Sequence, residues 1–193
     1  MKVLGINCSP RIGGNTEILI KEVFRSLENN GIDTEFFQLG GKSISGCTAC
    51  MKCREIKDGR CHQDNEVINS CIERMERCDG LLIGAPVYFA DVASDAKALI
   101  DVAGYAMRGA GNPLRRKVGA AVLSMRRAGA VNAFDTVNHF FLINEMIIPG
   151  SSYWNMGIGR EKGDVLKDEE GLNTMRVLGE NMAYLLKRLH NGQ

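Results

Sequence analysis

Four of the seven cysteines crowd between residues 47 and 61, spelled Cys47-x2-Cys50-x2-Cys53-x7-Cys61. Two-residue gaps set three thiolates on one turn of backbone, and the fourth arrives after a short excursion, an arrangement that suits the corners of a 4Fe-4S cluster. Structural zinc takes its cysteines as two pairs a dozen or more residues apart, so zinc is the weaker reading; free or redox-active thiols stay open beside it. His62 follows Cys61 and is a lesser candidate ligand, while Cys8, Cys71 and Cys78 read as small core or surface residues. An odd cysteine count crowded in this way points to chemistry in a reducing compartment, not to a secreted disulfide framework.

A second constellation is Ser9-Pro10-Arg11-Ile12-Gly13-Gly14-Asn15-Thr16, placed after an apolar run and before a helical pattern. An anion there would meet unpaired backbone N–H groups, the positive end of a helix and short hydroxyl and amide donors, with Gly13 and Gly14 permitting close approach. The spelling is neither G-x-G-x-x-G nor G-x-x-x-x-G-K-[ST], so dinucleotide and NTPase sites lose support. The alternative is an ordinary turn with Ser or Asn capping the helix.

Two further loops are informative. Ala85-Pro86-Val87-Tyr88-Phe89 offers a flat apolar ring two aromatics and a fixed turn, unless these aromatics simply plug the sheet top. Ser124-Met125-Arg126-Arg127-Ala128-Gly129 is polar, and at least one of its arginines is expected to approach the electron-rich edge of such a ring. No Ser-His-Asp or Cys-His arrangement can be assembled, so no residue is assigned a catalytic role.

These loops need elements to hold them. Strands are expected at residues 2–7, 32–39, 80–85, 118–124 and 146–148, and helices at 16–29, 65–77, 94–107, 131–144 and 169–189. The alternation implies an α/β fold with a doubly wound parallel sheet, which binds ligands at the carboxyl ends of its strands. Residues 40–63 break all periodicity and read as a functional loop inserted after strand two, within a single domain spanning 1–193. A net charge of +1, from 24 basic and 23 acidic residues, gives no reason to expect nucleic acid or an anionic membrane. No signal peptide or spanning run is evident, so the expectation is a soluble, cytoplasmic protein.

S-P-R-x-G-G-N-T at 9–16, A-P-V-Y-F at 85–89 and S-x-R-R-A-G at 124–129 resemble the NADPH-dependent FMN reductase group of flavodoxin-like proteins over essentially the whole chain. The compact cysteine motif resembles that of its iron-sulfur flavoprotein branch, although the x7 gap is long and Ala130 stands where many relatives have a second glycine. The resemblance implies a five-stranded parallel sheet of order 2-1-3-4-5. It also implies FMN, with its phosphate on Ser9, Arg11, Asn15 and Thr16 and its ring bordered by Pro86, Val87, Tyr88, Phe89, Ser124 and Gly129. Gly14 and Arg126 join this set from their loops. The cluster would sit on Cys47, Cys50, Cys53 and Cys61.

On this reading the chain is an electron-transfer oxidoreductase with ferredoxin or NAD(P)H as donor and a small-molecule acceptor. The resemblance further implies a homodimer or homotetramer with FMN at a subunit interface, where Tyr153 and Trp154 either cover a neighbour's flavin or pack the interface. The rivals are an NAD(P)H-dependent FMN or quinone reductase without iron, and a zinc-stabilised binding module.

Overall fold

A computed structural model describes residues 1–191. Apolar runs covered on both faces form the inner strands β1 (Lys2–Asn7) and β3 (Gly80–Tyr88), and the half-exposed β2 (Asp33–Gln38) forms an edge. After the two-residue strand β4 (Asp91–Val92) come β5 (Val118–Met125) and β6 (Met156–Ile158). The parallel sheet runs in the order β2-β1-β3-β5-β6, with β4 folded back antiparallel on the end of β3. This is the flavodoxin-like doubly wound order expected from the sequence, with one small strand added.

The period-2 alternation of each strand feeds two cores. Val3, Leu82, Val118 and Val122 pack under α1 (Asn15–Asn29) and α6 (Glu169–Asn191). Leu4, Ile6, Leu81, Ile83 and Leu123 pack under α3 (Glu66–Arg77), α4 (Ser94–Gly109) and α5 (Ala130–Ile143). At about 1.5–3 kcal/mol per fully buried aliphatic side chain, burial on both faces explains why β3 carries almost no polar residue. The register lays α1 directly on two glycines. A Cβ on Gly5 would come within 2.6 Å of Phe24 Cζ, and one on Gly84 within 2.4 Å of Ile20 Cδ1. This close seat fixes the height at which the start of α1 meets the strand ends.

The edge strand departs from expectation. Met146–Ile148 contributes one isolated bridge, Val118 to Ile147, with the Gly119 N–H donating to the Ile147 carbonyl at 2.9 Å. The chain then leaves at Pro149, which has no N–H to continue the ladder. It returns at Asn155, whose carbonyl accepts from the Leu123 N–H at 2.9 Å, and β6 pairs with Leu123–Met125. The fifth position of the sheet is therefore filled some ten residues later than its apolar spelling suggested. The cysteine segment also holds a short helix, α2 (Lys52–Ile56), where no element was expected. Among the described residues no helix is long and apolar enough to cross a membrane.

Candidate functional site

The carboxyl ends of β1, β3, β5 and β6 surround a cavity of about 400 Å³. Ser9, Arg11, Gly14, Asn15 and Thr16 line one side, and Pro86, Val87, Tyr88, Ser124 and Arg126 the other. The loop before α1 is held from behind: Asn7 Oδ1 accepts from the Ser9 N–H at 3.1 Å, and Gln38 Nε2 donates to the Ser9 carbonyl at 2.8 Å. Gly14 caps α1 without any side-chain bond, so the first-turn N–H groups face the cavity uncapped. The turn is tight, since a Cβ on Gly14 would lie 2.7 Å from the Arg11 carbonyl oxygen. A cradle of free N–H groups at a helix start, with no Cβ in the way, fits an anion such as a phosphate.

Thr16 Oγ1 and Ser124 Oγ close the floor at 2.7 Å, joining the two motifs. Two expected residues are absent from the lining. Phe89 is fully solvent-exposed at 106% and in left-handed backbone, with φ +50°. Gly129, φ +86°, is the N-cap of α5, where a Cβ would lie 3.0 Å from Ala90 Cα; it lets the β3–β4 turn close against α5 and does not face the cavity. The resemblance placed both at the ring; the left-handed turn after Tyr88 carries Phe89 outward, and Gly129 is taken up as the cap of α5.

The sequence reading missed Met125 and the wall formed by Gly159, Arg160, Glu161 and Lys162. The signal was available: glycines bracketing charged residues just after a parallel strand, once that strand is placed at Met156–Ile158. Arg11, Arg126, Arg160 and Lys162 make the mouth cationic, with Glu161 the opposing charge in the lining. Glu17 lies behind it. Burial pushes its carboxyl up, but the Lys21 ammonium and the Gly13 N–H outweigh this and hold it below the ordinary range. A cavity of about 530 Å³ also opens between α4 and α5, but it is lined by helix faces and reaches no strand end.

The four clustered cysteines line a second recess with His62, Gln63 and, from α4, Val102 and Tyr105. Cys47 and Cys50 are exposed, Cys53 and Cys61 half-buried. The Lys52 N–H, with Gln63 and Thr48, holds the Cys50 thiol below its ordinary value; burial and then the neighbouring thiols of Cys47, Cys61 and Cys50 push Cys53 up. His62 Nε2 is turned to Asp58 at 3.1 Å. Cys8, Cys71 and Cys78 are buried in the core, and burial pushes Cys78 up to about 11. Among the described residues no three His, Cys, Asp or Glu side chains converge closely enough to grip one metal ion.

Two buried asparagines, unremarked in the sequence, clasp this segment at both ends. Asn69 Oδ1 accepts from the Cys61 N–H at 2.8 Å and its Nδ2 donates to the Cys61 carbonyl at 2.9 Å. Asn65 does the same for Ser45, at 3.1 and 2.7 Å.

A family model described as NADPH-dependent FMN reductase matches residues 1–161. An iron-sulfur flavoprotein of Methanocaldococcus jannaschii is 37% identical, covering 97% of this chain and 98% of its own. A second from the same organism is 33% identical, covering 91% and 92%. Among solved structures, the flavoenzyme NAD(P)H:(acceptor) oxidoreductase FerB of Paracoccus denitrificans shares the fold with a TM-score of 0.70 at 17% identity, covering 97% of each chain.

Proposed function

We propose, for a chain that belongs to the NADPH-dependent FMN reductase family and to its iron-sulfur flavoprotein branch, that FMN occupies the strand-end cavity and a 4Fe-4S cluster the cysteine recess. The chain is a flavin-dependent oxidoreductase, and the finer reading is electron transfer between these two centres. The observation that carries it is the segregation of donors. Uncapped N–H groups, hydroxyls and cations gather at one cavity, and four thiols with no carboxylate gather at one recess.

The fit of each group is chemical. A cavity of about 400 Å³ falls in the range of small-molecule sites. Ser9, Thr16 and the first-turn N–H groups would take the phosphate, and Pro86, Val87, Tyr88 and Arg126 would flank the ring. Three thiols at two-residue spacing and a fourth after seven more residues, all lining one recess, suit a multi-iron cluster better than the two separated pairs of structural zinc. Bound FMN supplies one- and two-electron chemistry and a bound cluster one-electron transfer, so the pair would convert paired electrons into single ones.

The recess lies against Val102 and Tyr105, roughly 12 to 17 Å along α4 from the strand-end edge where that helix begins. In the homo-oligomer that the resemblance implies, one subunit's cluster would serve a neighbour's flavin. The exposed Cys47 and Cys50 leave the cluster's rim open to a donor such as ferredoxin, with NAD(P)H the alternative donor and a small molecule the acceptor. The reducing chemistry suits a cytoplasmic setting.

Anaerobic purification with FMN, iron and acid-labile sulfide analysis tests this. Flavin bands accompanied by a broad sulfur-to-iron absorption are expected, and Cys50→Ser should remove iron while leaving FMN bound. Flavin without iron would leave a cluster-free reductase, and a colourless zinc protein would sink the reading altogether.

A further inference from the structure

One wall of the cavity is accounted for by none of the recognised motifs. The chain leaving β6 runs Gly159-Arg160-Glu161-Lys162-Gly163, and Asn15 pins it against the loop before α1. Asn15 Nδ2 donates to the Glu161 carbonyl at 2.9 Å, and its Oδ1 accepts from the Gly163 N–H at 2.9 Å. The polar atoms of Asn15 are thereby committed to backbone. Two of the loop's own donors are also spoken for: the Gly13 N–H bonds Glu17 Oε2 at 2.6 Å, and the Gly14 N–H bonds the Arg11 carbonyl at 3.0 Å.

A phosphate carries close to two charges at neutral pH, and the donors left to it at the helix start are neutral N–H groups, hydroxyls and one cation, Arg11, whose Nη1 already donates to the Arg160 carbonyl at 3.4 Å. A second cation would complete the match of charge. Lys162 stands where one would act: a Cβ built on Gly13 would lie 3.0 Å from its Nζ and 3.1 Å from its Cε. Glu17 pairs with Lys21 and Glu161 with Arg160; Glu17 also feels the Lys162 charge, but neither carboxylate forms an ion pair with it.

We propose that Lys162, delivered by the Asn15-pinned segment, reads the phosphate of the bound flavin and makes the site prefer FMN over riboflavin. This rests on the reading of the cavity as an FMN site. A charge-assisted bond of this kind corresponds to about a tenfold change in affinity.

The experiment titrates flavin-free protein separately with FMN and riboflavin, following quenching of flavin fluorescence. Lys162→Met should weaken FMN about tenfold and leave riboflavin unchanged, while Lys162→Arg retains most of the preference. Asn15→Leu should weaken FMN, and combining it with Lys162→Met should add less than the product of the two, because both act through one segment. The wild-type preference should also shrink as salt rises. An unchanged FMN affinity in Lys162→Met, or an equal loss of both flavins, overturns the assignment. Failure of the wild type to bind either flavin overturns the FMN site itself, and is seen before any substitution is made.

Discussion

Thr16 Oγ1 and Ser124 Oγ lie 2.7 Å apart with both residues buried, so one hydroxyl pair ties the first turn of α1 to the end of β5. The two motifs that meet there are 108 residues apart in sequence. Thr16→Val leaves the Ser124 hydroxyl without its partner, and should cost about 1–3 kcal/mol of folding stability. Pairing it with Ser124→Ala removes both groups and should cost less than the two single changes summed. Urea unfolding of the four proteins measures the coupling; strict additivity would show that the contact contributes nothing.

Gly84 sets how closely α1 approaches the sheet. In Gly84→Ala the new methyl would fall 2.4 Å from Ile20 Cδ1 and 3.0 Å from Thr16 Cγ2. Overpacking at a central strand costs about 1–3 kcal/mol. The helix must lift to relieve it and take the anion loop with it, so FMN should bind more weakly even where the variant is folded. Equilibrium unfolding and flavin titration report the two effects separately, and wild-type values in both would refute the account.

The asparagine clasp predicts a selective lesion. Asn69→Leu deprives both backbone groups of Cys61 of their partners, costing about 1–3 kcal/mol and freeing the carboxyl-terminal end of the cysteine segment. Iron retained per chain should fall while FMN content stays at the wild-type level. Full iron retention would mean that the cysteines hold the segment without the clasp.

Glu17 gives the acid limb of stability a specific origin. Its carboxyl is held below the ordinary range despite burial, by Lys21 and the Gly13 N–H. Its contribution is thus fully present above the unfolded value of roughly 4.3 and is lost as pH falls through the lower folded value. Glu17→Gln should be less stable than wild type at neutral pH, with the gap closing below about pH 4. Urea midpoints over that range decide it; a gap independent of pH would reject the assignment.

Much of this was legible in the residues because the local signals agreed with the fold. The run Gly80 to Ala85 was the best candidate for a strand covered on both faces, and Ser9 to Thr16 lies at a strand end where the fold places ligands. What escaped was set by distant partners. Met146–Ile148 has a strand's spelling but gains only one bridge, because Pro149 ends the ladder. Gly159 to Lys162 drew no assignment from its spelling, and it is Asn15, 146 residues from Glu161, that brings it to the cavity. Phe89 stands outside the cavity lining because of a left-handed turn that has no glycine to announce it.

The broken outer strand carries a last consequence. An open sheet ends in a row of unpaired N–H and C=O groups, on which another chain can build a strand. Here that margin is one bridge at Ile147 and three residues at Met156–Ile158, separated by the excursion of residues 149–155 that carries the edge-to-face pair Tyr153 and Trp154. Neither piece offers an incoming strand a ladder long enough to extend. The guard belongs to this side alone: the opposite margin is β2, an unbroken six-residue strand that bears Asp33 and Glu35, charges that blunt an edge in a different way.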